Sequence, residues 1–514
     1  MAKNKITKGK NIINIILMIL IIMLGVIFIY INLVQYRYGI NADVAAEGLL
    51  AKVIWESKEW TPKEWYFSTE TRIVSPADIG ALFYGLTNSI CLAMGLGCIV
   101  GGIFILWSVW QLCKELEFDL TQKLLLVFLV LLLPNSKNQI ELMYLFAGYY
   151  AFHVGLYFVT LAYYLKLLKK EKLKIVQLIF LWGFHFLLGA QGVRILLIVT
   201  GPLLAVELVR RVYKMYLNWE WKKEDNFVTA FAVSVNLFAF LGGRLPTSVG
   251  YSLSRNIRKA PEKLFGIVIP DFFKMFEWEN LSFIEKAAFT VSFLMVLYLI
   301  VVIICKGIKK QNITVDEWVI FNFFISTLLT IAALTFTTVD SSSRYFIAFF
   351  FAIAVGIAYS WKKNSSVVKS AIVFVILVVL MGNCQRVYYP MVCDKSYTTS
   401  DFALVGEYLM QEGYEYAYSG FEQANCITVM ADGKIQVSAI DSFEDMRICK
   451  WLTSNKWYVP NVPKESKTAY AVTDYRLEEF ASFLEEHAKD LEFKTKIGIF
   501  NIYGSDYNYS YVAD

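Results

Sequence analysis

The feature that most constrains this chain is a series of apolar runs that recur from the N-terminus to residue 383. A helix of about 20 apolar residues crosses a hydrocarbon core of about 30 Å. Only 18% of the residues are charged, against about 25% in soluble domains, so a soluble globular protein is excluded. The runs predict eleven transmembrane helices, at residues 12–34, 84–110, 124–133, 140–165, 175–188, 195–209, 227–241, 287–304, 318–336, 345–361 and 367–381.

Lysine-rich turns predict the orientation, because cytoplasmic loops carry an excess of basic residues. The run 124–133 is short and ends at Pro134, which is also typical of a re-entrant segment. Counting it as a crossing places the basic turns at 166–174, 210–223, 306–310 and 362–363 on the cytoplasmic side, together with the N-terminus. We therefore expect a multi-pass protein of the cell membrane with an extracytoplasmic C-terminus. The net charge of +5 gives no indication of nucleic-acid binding.

The composition changes after Gly382, where charged residues, proline, glycine and tyrosine replace the aliphatic runs. Ser400 can cap a helix from Asp401 to Gly413, and residues 414–419 then alternate like a strand. An amphipathic helix at 477–489 precedes alternating strands through 497–502. The sequence predicts a polytopic α-helical membrane domain at 1–383 and a small extracytoplasmic α/β domain at 384–514.

The cysteines do not settle the chemistry of the outer domain. Its four cysteines allow one or two disulfides, with three complete pairings, or they are free buried thiols. These residues are Cys384, Cys393, Cys426 and Cys449. Neither their spacing nor the three histidines of the chain indicate a zinc site.

Two long outer loops, at 35–83 and 242–286, distinguish the chain from a bare channel bundle. Asp43 and Glu47 lie four residues apart in the first loop, so on a helix both carboxylates share a face. Such a pair at the membrane surface could act as a general base for a hydroxyl acceptor. The alternative is that these acids are solvated or cap a helix.

Arginines gather on the predicted outer side, where positive charge is normally avoided. In the membrane domain seven lie outside and only Arg210 and Arg211 inside; the outer set is Arg37, Arg72, Arg194, Arg244, Arg255, Arg258 and Arg344. Arginine binds phosphate in a bidentate manner, which favours a lipid-phosphate ligand at this face. The alternative is pairing with lipid headgroups or with nearby acids. Arg344 with Asp340 is compatible with either a phosphate clamp or a structural ion pair.

Several short stretches, taken with this architecture, resemble the GT-C superfamily of polyprenyl-phosphate-sugar-dependent membrane glycosyltransferases, which includes protein mannosyltransferases, aminoarabinose transferases and Rgt-type transferases. The stretches are Asn41-Ala42-Asp43 with Glu47, the segment from Trp65 to Arg72, Ser343-Arg344-Tyr345, and the C-terminal outer α/β domain.

The resemblance implies an inverting transfer of a sugar from a polyprenyl-phosphate donor to a glycan, lipid or protein acceptor of the cell envelope. The family's catalytic base maps onto Asp43. Many members have two adjacent acids there, whereas this chain has Ala42 before Asp43, so Asp43 and Glu47 both remain candidates.

The donor phosphate maps onto arginines, and neighbouring residues are candidates for other substrate contacts. The phosphate candidates are Arg344, Arg72, Arg244, Arg255 and Arg258, and the other substrate candidates are Glu70, Tyr345 and Asp340. No residue is assigned as a metal ligand, and a requirement for a divalent metal stays open. The alternatives to an enzyme are a transporter or flippase of lipid-linked glycans and a non-catalytic envelope scaffold.

Overall fold

A computed structural model gives the structure of the chain and describes residues 2–68, 70–217, 223–245, 254, 257–363 and 366–510. Helices dominate it up to Cys393. The α-helices are α1 (Ala2–Val34), α2 (Ala42–Ser57), α3 (Pro76–Thr87), α4 (Ile90–Glu115), α5 (Leu120–Leu132), α6 (Lys137–Met143), α7 (Ala151–Leu168), α8 (Ile175–Gln191), α9 (Gly201–Tyr216), α10 (Lys223–Gly242), α11 (Ala260–Lys263), α12 (Ile269–Lys274), α13 (Phe283–Ile308), α14 (Val315–Phe336), α15 (Ala348–Lys363), α16 (Ser366–Asn383), α17 (Tyr389–Cys393), α18 (Asp401–Gln411), α19 (Phe421–Met430) and α20 (Leu477–Glu486).

The described residues include eight helices long and apolar enough to cross a membrane, which confirms a multi-pass protein but is fewer than the eleven spans predicted. A ninth is counted if α5 and α6, which are bent by 120° at the break after Leu132, form one span. This bent pair corresponds to the short third run and to the beginning of the fourth. The fifth run forms α8, whose 17 residues extend over about 26 Å. The sixth run forms a π-helical turn at Leu196–Thr200 that continues into α9.

Local capping explains why the second predicted span is shorter than its apolar run. Asn88 adopts a left-handed conformation with φ of 51°, which ends α3. The side chain of Ser89 then accepts a hydrogen bond from the Leu92 N–H and starts α4. The prediction of one helix across 84–110 is therefore wrong in its first residues, because this break separates α3 from the membrane helix.

The C-terminal domain contains a six-stranded mixed sheet with helices on both faces, as its sequence pattern predicts. The chain's strands are β1 (Trp65–Tyr66), β2 (Tyr416–Gly420), β3 (Val437–Ser442), β4 (Arg447–Ile448), β5 (Thr453–Ser454), β6 (Glu465–Thr473), β7 (Glu492–Ile497) and β8 (Phe500–Tyr507). The sheet order is β4-β3-β2-β6-β8-β7, with β2 parallel to β3 and β6. One face packs on α18 and α19, and the other packs on α20. The predicted helices from Asp401 and Leu477 are both confirmed.

The last membrane helix extends beyond the boundary predicted after residue 383. Helix α16 continues through a π-helical turn at Cys384–Tyr388 into α17, so the candidate span runs over Val367–Cys393. Cys384 and Cys393 consequently lie on this helix. All eight cysteines of the chain fall in the described ranges, and all are free thiols.

The first loop and the C-terminal domain are joined directly. Strand β1 of the loop pairs with β5 of the domain, and α2 packs against α19. The Asp432 carboxylate accepts hydrogen bonds from the Ile90 and Cys91 N–H groups, at 2.9 and 3.3 Å, and so caps α4. The loop and the domain therefore lie on the same side of the helical bundle.

Candidate active site

Helix α2 carries both acids of the first loop and gives them different surroundings. It begins at Asn41, whose side chain accepts a hydrogen bond from the Val44 N–H at 2.9 Å. Asp43 lies exposed in the first turn, whereas Glu47 lies one turn later and is 5% exposed. The two acids lie on one helix, but only Asp43 faces an open surface.

Glu47 starts a buried chain of alternating charges beneath the loop. Arg72 Nε donates to Glu47 Oε1 at 2.7 Å, and Arg72 Nη1 donates to Glu70 Oε2 at 3.1 Å. Arg194 Nη2 lies 2.9 Å from Glu70 Oε1. These four side chains form the ion network, in which two carboxylates and two guanidinium groups balance in charge.

The two carboxylates of the ion network respond differently to burial. Burial raises the pKa of Glu47, and the single neighbouring Arg72 only partly offsets this. Burial would also raise the pKa of Glu70, but Arg194 and Arg72 together outweigh it and bring the pKa below its usual value. Glu70 is therefore the firmly ionised centre of the network.

Aromatic rings and one amide enclose the arginines of the ion network. The Arg194 guanidinium lies over the rings of Tyr150 and Tyr345, at 4.2 and 5.9 Å, and Arg72 lies 5.7 Å from the Tyr149 ring. The Gln191 side-chain oxygen accepts hydrogen bonds from the Ile73 and Val74 N–H groups. These contacts fix the end of the first loop to the bundle.

Next to the ion network, Asp43, Glu141 and Arg344 interact electrostatically. Arg344 is exposed on the 3₁₀ turn Ser343–Phe346. In the part of the chain that the structure describes, neither Arg344 nor Asp43 has a carboxylate or cation within ion-pair distance. Glu141 is 8% exposed and its Oε2 atom has no hydrogen-bond partner. An exposed carboxylate and an exposed guanidinium that contacts Tyr345, whose ring lies 5.6 Å away, thus share an open surface.

The described contacts join none of Arg244, Arg258 and Asp340 to Asp43 or Arg344. Arg244 is exposed with its guanidinium 4.8 Å from the Phe240 ring, and Arg258 is exposed as well. Arg255 lies outside the described residues. Asp340 is exposed, and the ion pair with Arg344 that the sequence allowed is not formed within the described ranges. Roles for these four residues in donor or substrate binding stay predictions.

No specific role was predicted for Arg194, Glu141 or Gln191, which lie near the ends of apolar runs. Arg194 is one of the seven arginines predicted on the outer side, and this was the one sequence feature that pointed to a role for it. The His185 Nε2 atom lies 3.2 Å from Thr160 Oγ1 of α7. Among the described residues, no three His, Cys, Asp or Glu side chains are arranged to hold a metal ion.

Sequence comparison matches the chain to no protein family and to no curated protein. Its fold is similar to that of solved structures. The oligosaccharyltransferase of Archaeoglobus fulgidus, in complex with Zn and sulfate, is 12% identical with a TM-score of 0.51, and the alignment covers 96% of this chain and 73% of that one.

A second similar structure is ArnT from Cupriavidus metallidurans, solved bound to undecaprenyl phosphate and in the apo state. The bound form is 9% identical with a TM-score of 0.51, and the alignment covers 93% of this chain and 97% of that one. Both proteins are glycosyltransferases of the GT-C type. The chain therefore has the GT-C fold, as its short motifs and its architecture implied.

Proposed function

We propose that the chain is a membrane glycosyltransferase that moves a sugar from a polyprenyl-phosphate donor to a cell-envelope acceptor. The observation that carries the proposal is that an exposed carboxylate, Asp43, and an exposed guanidinium, Arg344, lie on one surface, and neither has an ion-pair partner among the described residues. Such a surface offers a proton acceptor next to a phosphate-binding group. The GT-C fold supports this proposal.

Asp43 is the base in this proposal, and Glu47 is a positioning residue. A general base must reach the proton that it removes, and Asp43 is exposed at the start of α2. Glu47 is buried and its Oε1 accepts from Arg72 at 2.7 Å. Because Glu47 holds Arg72, it fixes the end of the loop against α2.

Arg344 is the donor-phosphate group in this proposal. Its guanidinium carries five N–H donors in a planar fork that matches phosphate oxygens. Arg72 and Arg194 are already neutralised by Glu47 and Glu70, so they are less suited to hold a phosphate. Of the arginines predicted to bind the donor phosphate, Arg344 therefore retains that role in the proposal, and Arg72 has a structural role instead.

The transfer proceeds as one displacement. The acceptor hydroxyl oxygen attacks the anomeric carbon of the donor sugar, and its proton passes to the Asp43 carboxylate. The bond between the anomeric carbon and the phosphate oxygen breaks, and polyprenyl phosphate leaves with its charge stabilised by Arg344. Attack opposite to the leaving group inverts the anomeric configuration.

The test is purified protein in lipid nanodiscs, supplied in turn with several polyprenyl-phosphate sugars and an extract of envelope acceptors. We expect release of free polyprenyl phosphate with at least one donor, and a fall of about 10²–10³-fold for Arg344→Ala. Arg447→Ala, at an exposed position of β4, is the matched control and should be silent. If no donor is consumed, or if lipid-linked sugar only changes leaflet, the proposal is wrong and the transporter alternative gains support.

A further inference from the structure

A groove of about 680 Å³ lies at one edge of the C-terminal sheet, and the transfer proposed above does not use it. It is bordered by Lys467 on β6, Glu492 on β7 and Tyr507 at the end of β8, and by the segment that follows α20. Its volume is within the range of about 300–1,000 Å³ that is usual for small-molecule sites.

Aromatic rings form one wall of the groove. Tyr507 and Tyr509 are partly exposed and alternate with the buried Asn508 and Ser510. The two tyrosine rings lie 5.2 Å apart with an interplanar angle of 51°. The His487 ring lies 4.3 Å from that of Tyr509. Together they present three ring surfaces that are steeply inclined to one another along one side.

The backbone behind this aromatic wall is fixed by Asn508. Its N–H donates to the Lys464 carbonyl at 2.7 Å, and its side-chain amide donates to the Tyr418 hydroxyl at 2.8 Å. Its side-chain oxygen accepts from the Ser510 N–H and hydroxyl, at 3.1 and 2.7 Å. Because the wall is already ordered, a ligand loses little free energy in positioning it.

The remaining lining is charged and balanced, with three lysines and three acids: Lys467, Lys489, Lys494, Asp490, Glu492 and Asp506. A site for phosphate or nucleic acid would carry an excess of positive charge. A site for an apolar chain would carry aliphatic side chains, and the groove's described lining contains none. The ligand that fits is polar and uncharged overall, with flat faces and many hydroxyl groups.

We infer that this groove binds an oligosaccharide. The C–H face of a sugar ring packs on the rings of Tyr507 and Tyr509. Its hydroxyls donate to the Asp506 carboxylate and to Asp490 Oδ1, since Asp490 Oδ2 already accepts the Tyr509 hydroxyl at 3.1 Å. The inference goes beyond the transfer reaction and is independent of it, because a chain that has lost Asp43 keeps the groove. The site would hold a glycan at the outer domain while chemistry takes place elsewhere.

Saturation-transfer NMR on the purified full chain in nanodiscs tests the inference, with maltotriose, cellotriose, mannotriose and triacetylchitotriose as probes. We expect transfer to at least one trisaccharide in both the wild type and Asp43→Asn. Tyr509→Ala and Tyr507→Ala should each weaken that binding by about fivefold or more. Tyr475→Ala is the matched control, because Tyr475 lies on the same domain, is 63% exposed and does not line the groove.

Three results would overturn the inference: no transfer to any of the four probes, binding unchanged in both groove variants, or binding that Tyr475→Ala weakens equally. The affinity should also change by less than about twofold between low and high salt, because the lining charges balance. Strong weakening by salt would contradict the inference, because the four probes are uncharged. Circular dichroism and thermal unfolding of each variant exclude loss of the domain as the cause. Failure here leaves the transferase proposal intact, since donor turnover is measured separately.

Discussion

Replacing Asp43 by Asn tests the assignment of the base without disturbing the fold. Asp43 is exposed and has no ion-pair partner within the described residues, so the variant should change the free energy of unfolding by less than about 0.5 kcal/mol. Loss of a general base costs about 10²–10⁴-fold in rate, which corresponds to about 2.7–5.4 kcal/mol of activation free energy. We expect turnover to fall by that factor in a protein as stable as the wild type.

Glu47→Gln is the matched comparison, one helical turn away. It should lower the free energy of unfolding more than Asp43→Asn does, and the turnover less. It replaces the charged acceptor of the 2.7 Å hydrogen bond from Arg72, while Arg72 keeps Glu70 at 3.1 Å. Loss of one charged hydrogen bond costs about 1.5–3 kcal/mol, less than the roughly 3–5 kcal/mol of a fully uncompensated buried charge. This variant should unfold more easily and lose turnover only as far as Arg72 and the loop shift.

Single-turnover release of polyprenyl phosphate, measured with equal amounts of folded protein, gives the rates, and thermal unfolding in the same nanodiscs gives the stabilities. The reasoning is refuted if Asp43→Asn keeps more than about a tenth of wild-type turnover. It is also refuted if Glu47→Gln matches Asp43→Asn in turnover while leaving the unfolding transition unchanged.

Three further perturbations probe the surroundings of the site. Glu70→Gln removes the carboxylate shared by Arg72 and Arg194 and should cost about 3–5 kcal/mol of unfolding free energy; an unchanged melting temperature would contradict this. Burial raises the pKa of Asp78 to about 7, so the folded chain holds an extra proton and unfolding free energy falls from about pH 4 to about pH 7. Asp78→Asn should flatten that slope in a pH series of melting curves, and an equal slope would argue against it. Asp432→Ala removes the acceptor of the Ile90 and Cys91 N–H groups at the start of α4, while the Ser89 cap stays, and should cost about 1 kcal/mol. Proteolysis of the C-terminal domain is the readout, and Asp445→Ala serves as an exposed control.

Local sequence signals were sufficient where one residue decides a local structure. Ser400 begins α18 as expected, and Asp43 and Glu47 do lie on a helix, the condition under which their spacing was informative. The break at Asn88 is also local, but a left-handed asparagine inside an apolar run gives little signal. The multi-pass architecture followed directly from the length of the apolar runs.

Long-range partners could not be read from the sequence. The contact of Glu70 with Arg194 joins the first loop to the chain beyond α8, and Asp432 caps a helix that begins more than 300 residues earlier. No spacing rule links residues so far apart. From the sequence, Glu47 was therefore a candidate base and Arg72 a candidate phosphate ligand. The ion network in which the proposal gives both residues a structural role could not be predicted.

Because β1 pairs with β5, the first loop can reach its final structure only after the C-terminal domain has been synthesised. Glu64 and Lys456, which flank these strands, form a 2.8 Å ion pair across 392 residues. At about 5–20 residues per second, the first loop waits roughly 20–80 s for its partner to be made. During that time the membrane helices can insert, yet β1, in the loop that carries Asp43, has no partner strand. A chain that stops early would thus be a membrane protein without an assembled site.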